Sequence, residues 1–291
     1  MRDGRTNSPF TGVSYTAVKE VQVQTGGFNA EYGNVRSGLI NVVTKEGPRD
    51  RYTVDVLTRY SPPQKKYFGG YPDDEDAYFM RPYLDDEVAW EGTDNWDRYT
   101  RQQYPIFEGW NAISESRLSD DNPDNDLTPE EAQEVFLWQH RKDFTVEDPD
   151  YTVDASFGGP VPFVSDFLGD LRFFASYRGT QSAYVVPMRR SAYKDYMGQV
   201  KVTSNLSPGM KLNLHGMYAE DRALASSPYG GGFRGEMPPY PWSGRGIVDN
   251  LSEGDLFALD EYNPQDVTRV MGGIDFTHTL SPNTFYEVKL Q

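Results

Sequence analysis

Apolar and polar residues alternate with a period of two in seven stretches of the chain between residues 51 and 290. In "RYTVDVLTRY", Val54 and Val56 fall on one face, whereas Asp55 and Arg59 fall on the other. This alternation is typical of a strand with one buried and one solvated face. The other six stretches are 151–159, 171–179, 199–206, 211–218, 271–280 and 285–290. We therefore predict seven strands, each with one apolar and one polar face.

The connections between these strands are of two kinds. Tight turns are predicted at "LSPGM", residues 206–210, and at "LSPN", residues 280–283, because Pro followed by Gly or Asn is favourable turn chemistry. Residues 61–150 and 226–266 form long connections instead. Short turns at one end and long loops at the other are typical of a transmembrane antiparallel β-barrel. An antiparallel sandwich rarely has such unequal loops, but a soluble sheet with one wet face stays the alternative.

Two further strand-like segments precede the first alternating stretch. Residues 17–25, with Val18, Val21 and Val23, lead into a glycine-rich segment, and "LINVVT" at 39–44 follows it. The segment between them, "GGFNAEYG", matches neither the phosphate-loop pattern GxxxxGK nor the dinucleotide pattern GxGxxG. The glycines therefore do not indicate a nucleotide site.

The sequence "EVQVQTGGFNAEYGNVRSGLINVVTKEG", residues 20–47, resembles the closing segment of the plug domain of TonB-dependent outer-membrane receptors. "FGGPVP" at 157–162, followed by "LRFFASYRG", is similar to the early barrel strands of that family, most of all its large Bacteroidetes-type members with a carboxypeptidase-regulatory-like N-terminal domain. Gly26 and Gly27 suit a plug packed against a barrel wall, since glycine permits positive φ and close backbone approach.

The resemblance implies an all-β internal fragment of such a receptor. Residues 1–47 would be the C-terminal part of the plug, and residues 48–291 the first seven or so strands of a partial transmembrane antiparallel β-barrel. Barrels of this family have about 22 strands. Residues 61–150 would be a helical extracellular loop insertion, and residues 226–266 a second long extracellular loop. We expect such a fragment not to close a pore by itself.

The resemblance also implies a function in the outer membrane of a Gram-negative cell. The intact protein would import a ligand of the siderophore, glycan or peptide class. Its partners would be outer-membrane lipid, the TonB–ExbB–ExbD system acting through the missing N-terminal part, and a surface lipoprotein. We expect no enzymatic activity, because the sequence contains neither a GxSxG nucleophile motif nor closely spaced histidines.

Composition excludes several other classes. The net charge of −16 and a pI of about 4.6 argue against binding to nucleic acid, since few cations are available to neutralise phosphates. The absence of cysteine excludes disulfides and a thiol nucleophile. No run of about 18 apolar residues predicts a transmembrane helix. Aromatic residues make up 14% of the chain, which disfavours plain disorder.

The acidic stretch "DDNPDNDLTPEE", residues 120–131, fits the spacing of a calcium-binding EF-hand loop. Asn125 replaces the usual glycine at position six, and Pro123 at position four is a further departure. The six candidate Ca²⁺ ligands are Asp120, Asn122, Asp124, Asp126, Thr128 and Glu131. The alternative is a solvated acidic turn that only caps the next helix.

A helix is predicted to begin after Thr128, with Pro129 in its first position and Glu131 completing a capping box. Residues 107–118 are predicted to form the helix that precedes the loop. The aromatic, glycine- and proline-rich loop 227–246 either contacts a ligand by stacking or packs on its neighbours. As an alternative to the receptor, these features fit a secreted calcium-binding β-sandwich adhesion or carbohydrate-binding module.

Overall fold

The computed structural model describes residues 13–24, 39–66, 69–184, 186–224, 256–257 and 264–290. The predicted turn at Gly26 and Gly27 and the loop 227–246 lie outside these residues. The described chain is mainly β, with one two-stranded sheet, one seven-stranded sheet and several short helices.

The two-stranded sheet pairs β1 (Val18–Gln24) with β2 (Leu39–Thr44) in antiparallel register. The larger sheet contains seven strands in chain order, each hydrogen-bonded to the next. Its strands are β3 (Thr53–Ser61), β4 (Asp150–Pro160), β5 (Arg172–Ala183), β6 (Ala192–Ser207), β7 (Met210–Leu224), β8 (Pro264–Ser281) and β9 (Thr284–Leu290).

The seven strands predicted from alternation are thus confirmed as an antiparallel sheet. Tight turns join β6 to β7 and β8 to β9, at the two predicted proline sites. Within the described ranges the sheet is open, because β3 and β9 do not pair with each other. The middle strands are long: β8 has 18 residues, which corresponds to about 60 Å at 3.3 Å per residue.

The connection between β3 and β4 contains the α-helices. They are α1 (Arg81–Leu84), α2 (Arg98–Arg101), α3 (Trp110–Leu118) and α4 (Pro129–Gln139). Short 3-10 helices lie at Thr93–Asn95 and Pro123–Asn125, and a third, Asp166–Leu168, lies between β4 and β5. Among the described residues, no helix has the length and apolar character needed to cross a membrane.

The helices surround a small core of their own. Tyr83 stacks on Phe136 with 4.4 Å between ring centroids, and the Trp110 indole N–H donates to the Tyr83 carbonyl at 2.9 Å. Leu256 and Phe257, from the connection between β7 and β8, are buried in the same core. The helical insertion therefore holds itself together and also binds a point of the second long connection.

Candidate functional site

One face of the seven-stranded sheet carries the apolar side chains of its strands and is exposed. The register places Val56, Tyr177 and Tyr218 in one row across the sheet. Val56 is 63% exposed and Val270, in the same row on β8, is 75% exposed. We call this surface the apolar face, and its large exposed side chains include Val54, Phe157, Val200, Leu214, Ile274 and Val288.

Small residues form a depression in the middle of the apolar face. Ala155, Ala175, Gly198 and Gly216 line a shallow, open depression of about 630 Å³. A Cβ atom added at Gly198 would meet nothing within 4 Å, so the backbone there leaves space for a side chain. The apolar face is therefore continuous and accessible over several strands, whereas monomeric soluble proteins rarely expose a contiguous apolar patch of more than a few hundred Å².

The opposite face, which we call the polar face, is most buried along the central strands β4 to β6 and is more exposed on the edge strands β3 and β9. Its central carboxylate, Asp154, is 0% exposed and accepts four hydrogen bonds from the segment that precedes β1. The donors are the hydroxyls of Ser14 (2.7 Å) and Thr16 (2.6 Å) and the backbone amides of Tyr15 (2.7 Å) and Thr16 (3.2 Å). These bonds satisfy a buried charge, as buried carboxylates require. They also fix residues 14–16 on the polar face of β4.

A second anchor lies just after β2. Glu46 contacts three cations on the polar face: Arg172 at 3.0 Å, Lys211 at 2.7 Å and Lys201 at 3.4 Å. Burial alone raises the pKa of Glu46, but hydrogen bonds from Lys211 and Arg172 and the charge of Lys201 outweigh it and lower the pKa to about 2. The next residue, Gly47, approaches the sheet so closely that a Cβ atom would lie 2.1 Å from the Phe173 carbonyl oxygen.

The sequence-predicted calcium ligands lie in and around the 3-10 helix Pro123–Asn125 and at the start of α4. Asp120 accepts hydrogen bonds from the Asn125 side chain at 2.9 Å and from the Asn122 amide at 2.7 Å. These bonds, that of Asn125 above all, lower the pKa of Asp120. The Asn122 side chain accepts from the Asp124 amide at 3.2 Å, and Asp126 is the C-cap residue of the 3-10 helix.

Glu131 and Thr128 form the predicted capping box. The Glu131 carboxylate accepts from the Thr128 amide at 2.8 Å, and the Thr128 hydroxyl accepts from the Glu131 amide at 3.3 Å. Within the described part of the chain, no three acidic or histidine side chains are placed together as a metal site would need. The carboxylate of Asp120 makes local hydrogen bonds and that of Glu131 completes the capping box, and calcium binding stays a prediction.

A hollow of about 360 Å³ lies beside the helical insertion. Tyr71, Tyr78 and Phe79 line it together with Asp74 and Leu256. The Asp74 carboxylate accepts from the Tyr71 amide at 2.6 Å, which shapes the turn at its rim. The hollow therefore combines aromatic surface with hydrogen-bond acceptors at one point of the insertion.

Asp154 and Glu46 were not identified from the sequence as anchors. Alternation assigned Asp154 correctly to the polar face of β4, but its partners are about 140 positions earlier in the chain. Comparisons with known proteins found no matching family model, curated protein or solved structure. The two faces of the sheet, and the residues that contact each of them, are therefore the basis for a functional proposal.

Proposed function

We propose that this chain is part of a TonB-dependent outer-membrane receptor, in which residues 1–47 belong to the plug and residues 48–291 to the first part of the barrel wall. The observation that carries the proposal is the distribution of burial across the seven-stranded sheet. Polar side chains such as Asp154, Arg172 and Thr203 are at most 5% exposed, whereas apolar ones such as Val56 and Val270 are more than 60% exposed.

This distribution of exposed apolar and buried polar side chains is the reverse of the one expected for a sheet in water. A sheet in a soluble protein buries its apolar face in the core and leaves its polar face solvated. Leaving a large aliphatic side chain in water rather than burying it costs about 1.5–3 kcal/mol. A row of such side chains over seven strands is favourable when hydrocarbon lies outside and polar surface lies inside, as in a transmembrane barrel.

The contacts of the polar face fit a plug held by its wall. The segment before β1 binds Asp154, and the segment after β2 binds three cations through Glu46. Both segments flank the two-stranded sheet that the resemblance assigns to the plug. A polar interface of hydrogen bonds and ion pairs, rather than an apolar one, supports the assignment of this face to the barrel interior.

The connections fit the same orientation. The pairs β6–β7 and β8–β9 are joined by tight turns at one end, and the helical insertion leaves β3 at the other end. In the proposed receptor the turns face the periplasm and the insertion is extracellular. The imported ligand, of the siderophore, glycan or peptide class, would then meet the insertion and the hollow beside Tyr78 first.

The partners follow from the receptor assignment. Outer-membrane lipid would cover the apolar face, the TonB–ExbB–ExbD system would supply energy through the rest of the plug, and a surface lipoprotein would contact the extracellular loops. We also propose that Ca²⁺ binds residues 120–131 and replaces the local hydrogen bonds of the Asp120 and Glu131 carboxylates. A hard cation with oxygen ligands would order this loop outside the cell.

The assignment is tested by the cellular location and gel migration of the protein. We expect it in the outer-membrane fraction, with different mobility in SDS gels before and after boiling. The alternative, a secreted β-sandwich module for adhesion or carbohydrate binding, predicts a soluble monomer with the same mobility before and after boiling. That result would contradict the receptor assignment.

A further inference from the structure

The connection between β4 and β5, residues 161–171, exposes two phenylalanine side chains almost completely. Phe163 is 99% exposed and Phe167 is 88% exposed, and the neighbouring Leu168 is 51% exposed. The 3-10 helix Asp166–Leu168 lies at the centre of this segment. We call residues 161–171 the phenylalanine loop.

The backbone of the phenylalanine loop is fixed at both ends. Val161 donates to the Leu171 carbonyl at 2.9 Å, and the Asn205 amide donates to the Gly169 carbonyl at 2.5 Å. Gly169 has φ of +65° and approaches β6 so closely that a Cβ atom would lie 2.1 Å from the Asn205 carbonyl oxygen. Phe163 adopts φ of +67°, which is uncommon for a residue with a side chain. The exposure of Phe163 therefore belongs to a defined loop conformation.

The phenylalanine loop lies on the same side of the sheet as the apolar face. Ser204 pairs with Leu212 and follows Val202 and Val200 at a spacing of two, so it belongs to the apolar face. The loop covers Ser204, whose hydroxyl donates to the Leu168 carbonyl at 2.5 Å, and only 6% of Ser204 is exposed. The backbone of the phenylalanine loop at Leu168 therefore packs on the apolar side of the sheet.

The loop lies at the turn end of the strands, toward one edge of the apolar face. The exposed Tyr177 lies six residues along β5 from Leu171, which is about 20 Å along the strand at 3.3 Å per residue and about 15 Å of height for a strand tilted by about 40°. The apolar band of a transmembrane barrel is about 25 Å tall and has aromatic residues at both borders. The tyrosine row at Tyr177 and Tyr218 would mark one border, and the phenylalanine loop lies toward the other.

We propose that the phenylalanine loop inserts Phe163 and Phe167 into the boundary between headgroups and acyl chains, in the leaflet at the turn end of the sheet. This inference rests on the proposed function, because it requires lipid on the apolar face. The base of the loop is polar: Asp170 forms an ion pair with Arg49 at 3.4 Å. Exposed aromatic side chains beyond a polar base suit the membrane interface.

Site-directed spin labelling of the full chain tests the proposal directly. The chain contains no cysteine, so each variant carries one label without further changes. The variants are Phe163→Cys, Phe167→Cys, Val200→Cys at the centre of the apolar face, and Leu118→Cys on the helical insertion as the water-exposed control. In phosphatidylcholine–phosphatidylethanolamine vesicles, the accessibility of each nitroxide to oxygen is compared with its accessibility to a water-soluble nickel chelate.

We expect oxygen to exceed the nickel chelate severalfold at positions 163, 167 and 200, and the reverse at 118. If position 200 reports lipid while 163 and 167 report water, the loop proposal is wrong and the lipid-facing sheet stands. Labels at 163 and 167 that are shielded from both reagents would indicate burial against protein, in the same chain or a second copy, and would also overturn it. If position 200 matches position 118, the proposed function and the loop proposal fail together.

Discussion

Replacing Glu46 by glutamine removes the charge that holds the end of β2 against three cations of the sheet. The lowering of the Glu46 pKa from its ordinary 4.5 to about 2 corresponds to about 3 kcal/mol, at about 1.4 kcal/mol for each pKa unit. One quarter of the Glu46 side chain is exposed, and solvent screening reduces this figure. The substitution also leaves the buried Arg172 without its carboxylate partner. We therefore expect Glu46→Gln to lower the free energy of unfolding by about 2–3 kcal/mol at pH 7.

The pH dependence of this loss has a defined sign. A carboxyl group with a lower pKa in the folded state stabilises the fold above its unfolded pKa, and this contribution disappears as the pH falls through its folded pKa. The difference between wild type and Glu46→Gln should therefore be complete above pH 5 and should shrink between pH 4.5 and pH 2. Urea unfolding of the detergent-solubilised protein, followed by circular dichroism of the β-sheet, measures the difference at each pH.

Glu134→Gln is the matched control, because Glu134 is exposed on α4. It should unfold like wild type at every pH. Equal stabilities of Glu46→Gln and wild type at pH 7 would refute the role of Glu46 as an anchor. A difference that is the same at pH 7 and at pH 2.5 would refute the electrostatic cause.

Three further predictions concern other parts of the chain. Ca²⁺ should protect residues 105–145 from proteolysis, and Glu131→Gln should abolish this protection. Phe136→Ala should destabilise the helical insertion by about 3–5 kcal/mol, seen as an earlier thermal transition, because the ring is buried against Tyr83 and Trp110. Asp154→Ala should release residues 14–16, because the amides of Tyr15 and Thr16 lose their acceptor. A loss of roughly 2 kcal/mol of local stability corresponds to amide hydrogen exchange about 30-fold faster at these two residues.

Each of these predictions has a contrary result. Identical digestion with calcium and with chelator would contradict the proposed calcium site. Glu130→Gln is the control, and loss of protection in this variant as well would show that Glu131 acts only through its charge. An unchanged thermal transition in Phe136→Ala would mean that the insertion does not depend on its aromatic core. Unchanged exchange in Asp154→Ala would mean that other contacts hold the segment before β1.

The parts of the strands next to the tight turns were predictable from the sequence because their two faces differ in polarity. Residues 199–206 and 211–218 alternate clearly, and both form strands with the predicted faces. The ends of β6 and β8 away from the tight turns were missed because apolar and polar residues do not alternate there: β6 begins at Ala192 and β8 at Pro264, well before the alternating stretches. Hydrogen bonding between neighbouring strands extends them beyond the part that hydrophobicity specifies.

The helix α4 was predictable because Thr128, Pro129 and Glu131 specify its start locally. The four-residue helices α1 and α2 were not predicted, since they are too short for a period of 3.6 to be visible. The anchors of the polar face depend on contacts between residues more than 120 positions apart. Local pattern therefore identifies a polar face, whereas only the fold shows what binds to it.

The proposed receptor requires lipid on the apolar face and plug segments on the polar face. Photocrosslinking with diazirine-bearing phospholipids in native outer membranes, followed by peptide mass spectrometry, tests it on the central strand β6. We predict that Val200 and Val202 carry the lipid label and that their neighbours Gln199 and Lys201 do not. Equal labelling of all four residues, or no labelling of β6, would contradict the account.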